Sequence, residues 1–310
     1  MKIEIASLRL VGCGPFDDVT LDFCDKDGKP KKTILLAGAN GSGKTTVLEI
    51  IANRAFSAPK KEILSVYSRL DFHFDSELWT MAFGKRPGDD PPYNVAGAGK
   101  ATEAILHQIG SDLTHTPRSV CPPRILYLPH PRFLLPVEAE FLHPEEFVYS
   151  PNYRLESSNQ FPGSLSSYLI WLEYSDIDEY NETIKYMENL QISQKKFSII
   201  RKKLQSVVTT PEGIVHPIDK LSSGEQNLFI ILLELRRQLT HGSIILIDEV
   251  EGSLHPAYQY KLIYALQKLQ EEFDFQLITT THSTDILDAV GPGNTLFLTD
   301  YSDLKVELMK

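Results

Sequence analysis

The chain reads as an α/β fold built on a mostly parallel sheet with helices on both faces. Three observations predict it. Short apolar runs such as Thr33–Ala37 and Ser243–Ile247 look like strands buried on both sides. Each precedes a helix-forming stretch, so strands and helices alternate. The first run ends in Gly38-Ala39-Asn40-Gly41-Ser42-Gly43-Lys44-Thr45, a glycine-rich turn that opens a helix. That is the setting in which backbone N–H groups cradle phosphate.

The elements follow in order. Residues 3–11 and 19–23 predict two strands, with Gly12, Gly14 and Pro15 in the turn. Lys26–Pro30 is a polar turn, and the helix after the glycine-rich loop runs to about Arg54. Leu64, Val66, Leu70, Phe72 and Phe74 alternate roughly and predict a strand over 63–74. Residues 84–99, rich in Gly and Pro, predict a mobile loop, and a helix is expected over about 100–109. Arg124–His130 is a strand ended by Pro129. From there to about Lys220 no strong strand is evident. Helices are predicted over 164–174 and 177–208, the second from Ile184, Met187, Leu190, Phe197, Ile200 and Leu204 at spacings of three or four. This region is expected to be a helical subdomain packed on itself. The alternation then returns. Phe229–Leu239 predicts a helix and Ser243–Ile247 a strand, and Pro256 can start the helix holding Leu262, Ile263, Leu266 and Leu269. Phe275–Thr280, Thr295–Thr299 and Lys305–Leu308 complete the sheet.

Bulk properties narrow the class. A net charge of −10 argues against a uniformly basic nucleic-acid binder but leaves room for a local basic patch. The strongest such cluster, Lys195–Lys203, could meet phosphate backbone or form a solvated helix face. Three scattered cysteines point to a reducing compartment and no zinc site. The start carries no signal-peptide pattern, and the apolar runs are too short to span a bilayer. A cytoplasmic protein without a membrane partner is expected.

Three further motifs sharpen the chemistry. In the glycine-rich loop Lys44 can reach terminal phosphates and Thr45 can ligate Mg²⁺. Ile244-Ile245-Leu246-Ile247-Asp248-Glu249 is an apolar strand ending in two acids. Asp248 suits Mg²⁺, and Glu249 can polarise an attacking water. Leu221-Ser222-Ser223-Gly224-Glu225-Gln226 precedes a helix and can form a second anion site; it also fits a capping box from Ser222 to Glu225. Thr279-Thr280-Thr281-His282-Ser283 places a histidine just after a strand, where it can donate to a γ-phosphate.

The order of these motifs resembles the ABC-type ATPases, and more narrowly the soluble branch with the RecF, Rad50, SMC and OLD-type proteins. Ile5–Phe23, with Gly14-Pro15-Phe16 inside it, looks like that branch's N-terminal strands. Glu251-Gly252-Ser253-Leu254-His255-Pro256 resembles the "LHP" segment of small OLD/RecF-like, AAA-labelled ATPases. The N-terminal strands with 33–56 and 221–299, roughly half the chain, carry the match. The resemblance implies a P-loop NTPase head of ABC type, a mixed sheet flanked by helices with an inserted helical subdomain. It would comprise an ATPase lobe over 1–139, a lid over 140–220, and 221–310 completing the core.

The same resemblance implies residue roles. Gly38, Asn40, Gly41, Ser42, Gly43, Lys44, Thr45 and Thr46 match the Walker A loop. Asp248 matches the Walker B acid and Glu249 the catalytic base. Ser222, Ser223, Gly224 and Glu225 match the signature loop, Ser253–His255 the D-loop and His282 the switch histidine. His130 lies where the family often has a Q-loop glutamine and could hold water or the metal; Gln160 is the alternative. Phe16 could contact adenine or serve the core. ATP and Mg²⁺ are the implied cofactors, sandwiched in a head-to-tail homodimer. The implied function is ATP hydrolysis that drives conformational switching in DNA repair or anti-phage defence, with a separate nuclease or toxin as effector and DNA as a possible partner. The alternative is an ATP-dependent clamp on that partner with little turnover. A transporter subunit is disfavoured. With the sequence ending soon after His282 and no sustained heptads, neither a Toprim nuclease domain nor a long coiled coil is expected.

Overall fold

The computed structural model describes residues 1–54, 67–83, 93–96, 118–132, 147, 149–155, 165–189 and 195–298. Its strands are β1 (Ile3–Cys13), β2 (Phe16–Asp22), β3 (Thr33–Ala37), β4 (Tyr67–Phe74), β5 (Glu77–Phe83), β6 (Tyr93–Ala96), β7 (Ile125–Leu128), β8 (Asn152–Arg154), β9 (Lys196–Ile200), β10 (Gln205–Thr209), β11 (Val215–Pro217), β12 (Ile244–Ile247), β13 (Gln276–Thr281) and β14 (Thr295–Phe297). The helices are α1 (Lys44–Arg54), α2 (Leu165–Ser175), α3 (Ile177–Asn189), α4 (Ser223–Gln238), α5 (Pro256–Phe273) and α6 (Thr284–Val290).

The apolar runs pair in parallel, as their two-sided burial requires. The central sheet has the order β14-β3-β13-β12-β7-β8, and every pairing in it is parallel. Side chains alternate between two cores along each strand. Leu35, Leu126, Leu128, Ile245, Ile247 and Leu277 join the core under α2, α3, α4 and α5. Ile34, Leu36, Ile125, Tyr127, Ile244, Leu246 and Ile278 join the core under α1 and the antiparallel sheet β2-β1-β4-β5-β6. Helix α4 is covered nearly all round, with every residue from Leu228 to Leu233 at most 2% exposed. A Leu→Ala change there should cost about 2–5 kcal/mol.

The two sheets are tied by one buried amide. Gln276 donates to the carbonyls of Ile5 (3.0 Å) and Lys31 (2.9 Å) and accepts from the N–H of Ile5 (2.7 Å). The β1–β2 hairpin turns at Gly14-Pro15, and Phe16 is buried against the phosphate loop. A Cβ on Gly43 would come within 2.5 Å of the Phe16 ring, and Gly43 has φ +92°. The core role of Phe16 therefore prevails.

Four expectations are corrected. The helix over 177–208 stops at Asn189, and Lys196 onward forms the antiparallel sheet β11-β10-β9. Phe197 and Ile199 alternate with exposed Lys196 and Ser198, a strand period that the spacing Phe197–Ile200–Leu204 imitates as a helix. Leu204 itself sits in a left-handed turn at φ 47°. The insertion is therefore helix plus sheet, and β8 also breaks the strand-free stretch. The basic cluster is not one helix face: Lys195 pairs with Glu225, Lys196 opens β9, and only Arg201–Lys203 form an exposed single helical turn. Finally, β5 was missed and β6 occupies part of the expected loop; Asp75-Ser76, both at positive φ, make the two-residue β4–β5 turn without glycine. The helix over 100–109, the strand over 305–308 and Gln160 lie outside the described residues. Among the described residues no helix is long and apolar enough to cross a membrane.

Candidate functional site

Parallel pairing of β3, β13 and β12 brings their carboxyl ends to one edge, where ligands bind in open α/β sheets. Three sequence motifs thereby meet. The Thr45 hydroxyl donates to Asp248 at 2.9 Å, joining the start of α1 to the end of β12. Thr280, on β13, donates to Asp248 at 2.6 Å and accepts from the Glu249 N–H at 2.7 Å. Thr280 was not singled out from the sequence, where it is one of three consecutive threonines.

The loop before α1 is backbone-rich and tight. Gly38 packs so closely on Leu298 that a Cβ would lie 2.2 Å from its carbonyl oxygen. Gly41 and Gly43 have positive φ, the backbone freedom that turns successive N–H groups inward. The Ser42 hydroxyl is shielded and has no hydrogen-bond partner. Lys44 is buried, and its ammonium donates to the carbonyls of Gly38 and Ala39 at 2.9 Å each. Burial lowers the Lys44 pKa, opposed by the charges of Glu249, Asp248 and Glu251. Asn40 lies in the same loop, and Thr46 in the first turn of α1 beside Gly14.

Glu249 takes a left-handed backbone conformation, φ 45°. Its carboxylate lies 3.4 Å from the His130 Nδ1, so the segment after β7 does reach the acid pair. Glu251 accepts from the His282 N–H at 2.6 Å, linking the segment after β12 to the end of β13, where the His282 side chain is exposed.

The Ser222–Glu225 turn is a complete capping box. Ser222 accepts from the Glu225 N–H, and the Glu225 carboxylate accepts from the Ser222 N–H and hydroxyl. Glu225 also takes a 2.6 Å ion pair with Lys195. Burial raises its pKa, but the Lys195 and Ser222 bonds outweigh burial and hold it below the ordinary value. The charge of Glu225 is thus turned onto its own subunit, while Ser222 and Ser223 remain exposed. Gly224 is buried against the Ser253–Leu254 backbone: a Cβ there would meet the Ser253 carbonyl oxygen at 2.5 Å. Gln226 donates to the carbonyls of Asp219 and Leu221, fixing the turn.

Arg132 was also missed. It is 4% exposed and donates to the carbonyls of Leu128 (2.9 Å), Pro129 (3.1 Å), Asp248 (2.8 Å) and Glu249 (2.8 Å). Its Nε donates to Asn227 Oδ1 on α4 at 2.6 Å. Burial pulls its pKa down to about 10, opposed by Asp248 and Glu249. A single arginine in an irregular segment has no periodicity, so pattern reading could not have found it.

The strand order, the phosphate loop and the converging acids define a P-loop ATPase fold. A family model for an AAA ATPase domain matches residues 152–287, and one for an AAA domain matches 7–86. The chain is 22% identical over 331 residues to Septu protein PtuA of Bacillus thuringiensis, covering 96% of this chain and 76% of that protein. It is 30% identical over 90 residues to the Retron Ec83 probable ATPase of Escherichia coli, covering 26% of this chain and 16% of that one. The SMC head domain from Thermotoga maritima shares the fold, with TM-score 0.50, 15% identity and coverage of 93% of this chain and 92% of that one. Both family models are of AAA ATPase type, and with the shared fold they make the chain similar to the ABC-like ATPases of the RecF/SMC/OLD branch.

Proposed function

We propose that the chain binds and hydrolyses Mg-ATP at the interface of a head-to-tail homodimer. The observation that carries this reading is the Thr45–Asp248–Thr280 convergence beside Lys44. A hydroxyl and a carboxylate are hard oxygen donors that suit Mg²⁺, and the unpaired Ser42 hydroxyl and positive-φ glycines suit a phosphate. Thr45 and Asp248 would hold Mg²⁺, which when bound neutralises charge between the β- and γ-phosphates. Lys44 and the loop N–H groups would hold the phosphates. Glu249 would orient the attacking water and accept its proton as the terminal P–O bond breaks to leave ADP, with His282 donating to the γ-phosphate. His130 would hold the same water or the metal. Ser222, Ser223 and Gly224 would face the nucleotide of a partner protomer, and the exposure of the two serines supports this.

The lobes 1–139 and 221–310 would form the head, and 140–220 would pass its state to a separate effector, a nuclease or toxin, with DNA as a further possible partner. Likeness to a Septu protein over 96% of the chain and to a retron ATPase supports the defence setting over repair. A cytoplasmic location follows from that setting. A second reading, an ATP-dependent clamp with little turnover, is favoured by the contact of His130 with Glu249, which occupies the base. Glu249→Gln tests both. The proposal expects an ATP-trapped dimer by light scattering and loss of phosphate release. A monomer in ATP and Mg²⁺ sinks the sandwich, and turnover equal to wild type favours the clamp.

A further inference from the structure

We propose that Arg132 is a positioning residue that couples the signature helix α4 to the backbone of Glu249. The inference rests on the hydrolytic reading above. It starts from an oddity of composition: a charged side chain is almost wholly buried with no carboxylate bonded to it among the described residues. Its partners are four carbonyls, from the last residue of β7, the proline after it and both acid residues, and one side-chain amide from α4. The planar guanidinium can serve these together because its five N–H groups point in fixed directions. A lysine ammonium has three donors and no such fork.

What the fork holds is informative. The Glu249 backbone sits in the left-handed region, which a non-glycine residue keeps only when its surroundings impose it. Here both sides are clamped: its N–H by Thr280, its carbonyl by Arg132. The same carbonyl also accepts from the Gly252 N–H at 3.0 Å, so Arg132 is one of three groups that hold the Glu249 backbone and with it the direction of its carboxylate. The other end of Arg132 grips Asn227, whose Nδ2 in turn donates to the Val250 carbonyl at 3.3 Å. Asn227 lies one turn beyond the Ser222–Gly224 edge of α4. Any displacement of that edge by a neighbour's nucleotide is thus delivered through one amide and one guanidinium to residues 248–250. A Cβ on Gly252 would meet Asn227 Nδ2 at 3.2 Å and the Glu249 carbonyl at 3.3 Å, so Gly252 lets these two groups come close together.

The test is steady-state ATP turnover with Arg132→Lys, Asn227→Ala and the double variant, alongside melting temperature and affinity for a fluorescent ATP analogue. Asn227→Ala is the informative arm if Arg132→Lys folds poorly. The expected result is a fall in kcat of about 10- to 100-fold with KM and analogue affinity within about twofold of wild type, and a double variant no worse than the more severe single one. A staple with only a structural role would lower melting temperature and affinity together with kcat, and the two losses would multiply. That pattern, or unchanged kcat in Asn227→Ala, overturns the proposal while leaving hydrolysis in place. Absence of turnover in the wild type overturns the hydrolytic reading and this inference with it.

Discussion

Replacing Gly224 with alanine probes the joint between the Ser222–Glu225 turn and the Ser253–Leu254 segment. The added Cβ would sit 2.5 Å from the Ser253 carbonyl oxygen, 3.1 Å from its carbon and 3.2 Å from the Leu254 Cα. All three are backbone atoms, so no side chain can swing aside. Ordinary contact begins at 3.4 Å, so the turn and the loop must part by about 0.9 Å. Overpacking of this kind costs about 1–3 kcal/mol. Alanine in place of glycine in a helix returns up to about 1 kcal/mol. The net loss is then about 0–3 kcal/mol, a drop of a few degrees in melting temperature. Catalysis should suffer more, because a displacement near 1 Å can cost about 100-fold in rate. The Lys44 loop lies on another element, so binding of a fluorescent ATP analogue should stay near wild type. Phosphate release, analogue affinity and a thermal melt on one preparation decide the matter. Wild-type turnover in Gly224→Ala would refute the claim that this close approach matters to the reaction.

Lys44→Ala should abolish nucleotide binding, measured by fluorescence titration; unchanged affinity would remove Lys44 from the site. Asp248→Asn should weaken the Mg²⁺ dependence of analogue binding and lower turnover by at least about tenfold, read by titrating metal at fixed nucleotide. Glu49 offers a pH test. Burial raises its pKa, but the two bonds from Arg154 and one from Tyr127 overcome this and carry it below 4.5. A folded pKa below the unfolded one means the pair stabilises fully above pH 4.5 and loses that contribution as pH falls through the folded value. Glu49→Gln should therefore melt lower than wild type at neutral pH, by under about 1 kcal/mol. The difference should shrink in acid; a constant gap from neutral pH to acid would contradict this.

The nucleotide half was legible because β3 and β12 are continuous apolar runs that lead straight into the residues singled out for chemistry, and β13, though half threonine, is buried throughout. Their two-sided burial leaves a parallel sheet as the natural arrangement, and parallel strands put their ends together. The insertion was not legible. Phe197, Ile200 and Leu204 fall at helical spacing while the backbone alternates, and only the β-branched Val207-Val208 pair hinted at strands. The contacts that tune the site were invisible for another reason. Thr280, Arg132 and Asn227 act through long-range hydrogen bonds, which leave no period in the sequence. Ser222 and Glu225 were read both as anion ligands and as a cap; the structure realises the cap and leaves the serines exposed.

The amide of Gln276 has a mechanical consequence. It satisfies two strands of different sheets at once in a dry interior, so prising them apart would strand several polar groups without water. Opening that seam would leave the amide and its backbone partners unbonded, so the two sheets resist being parted there.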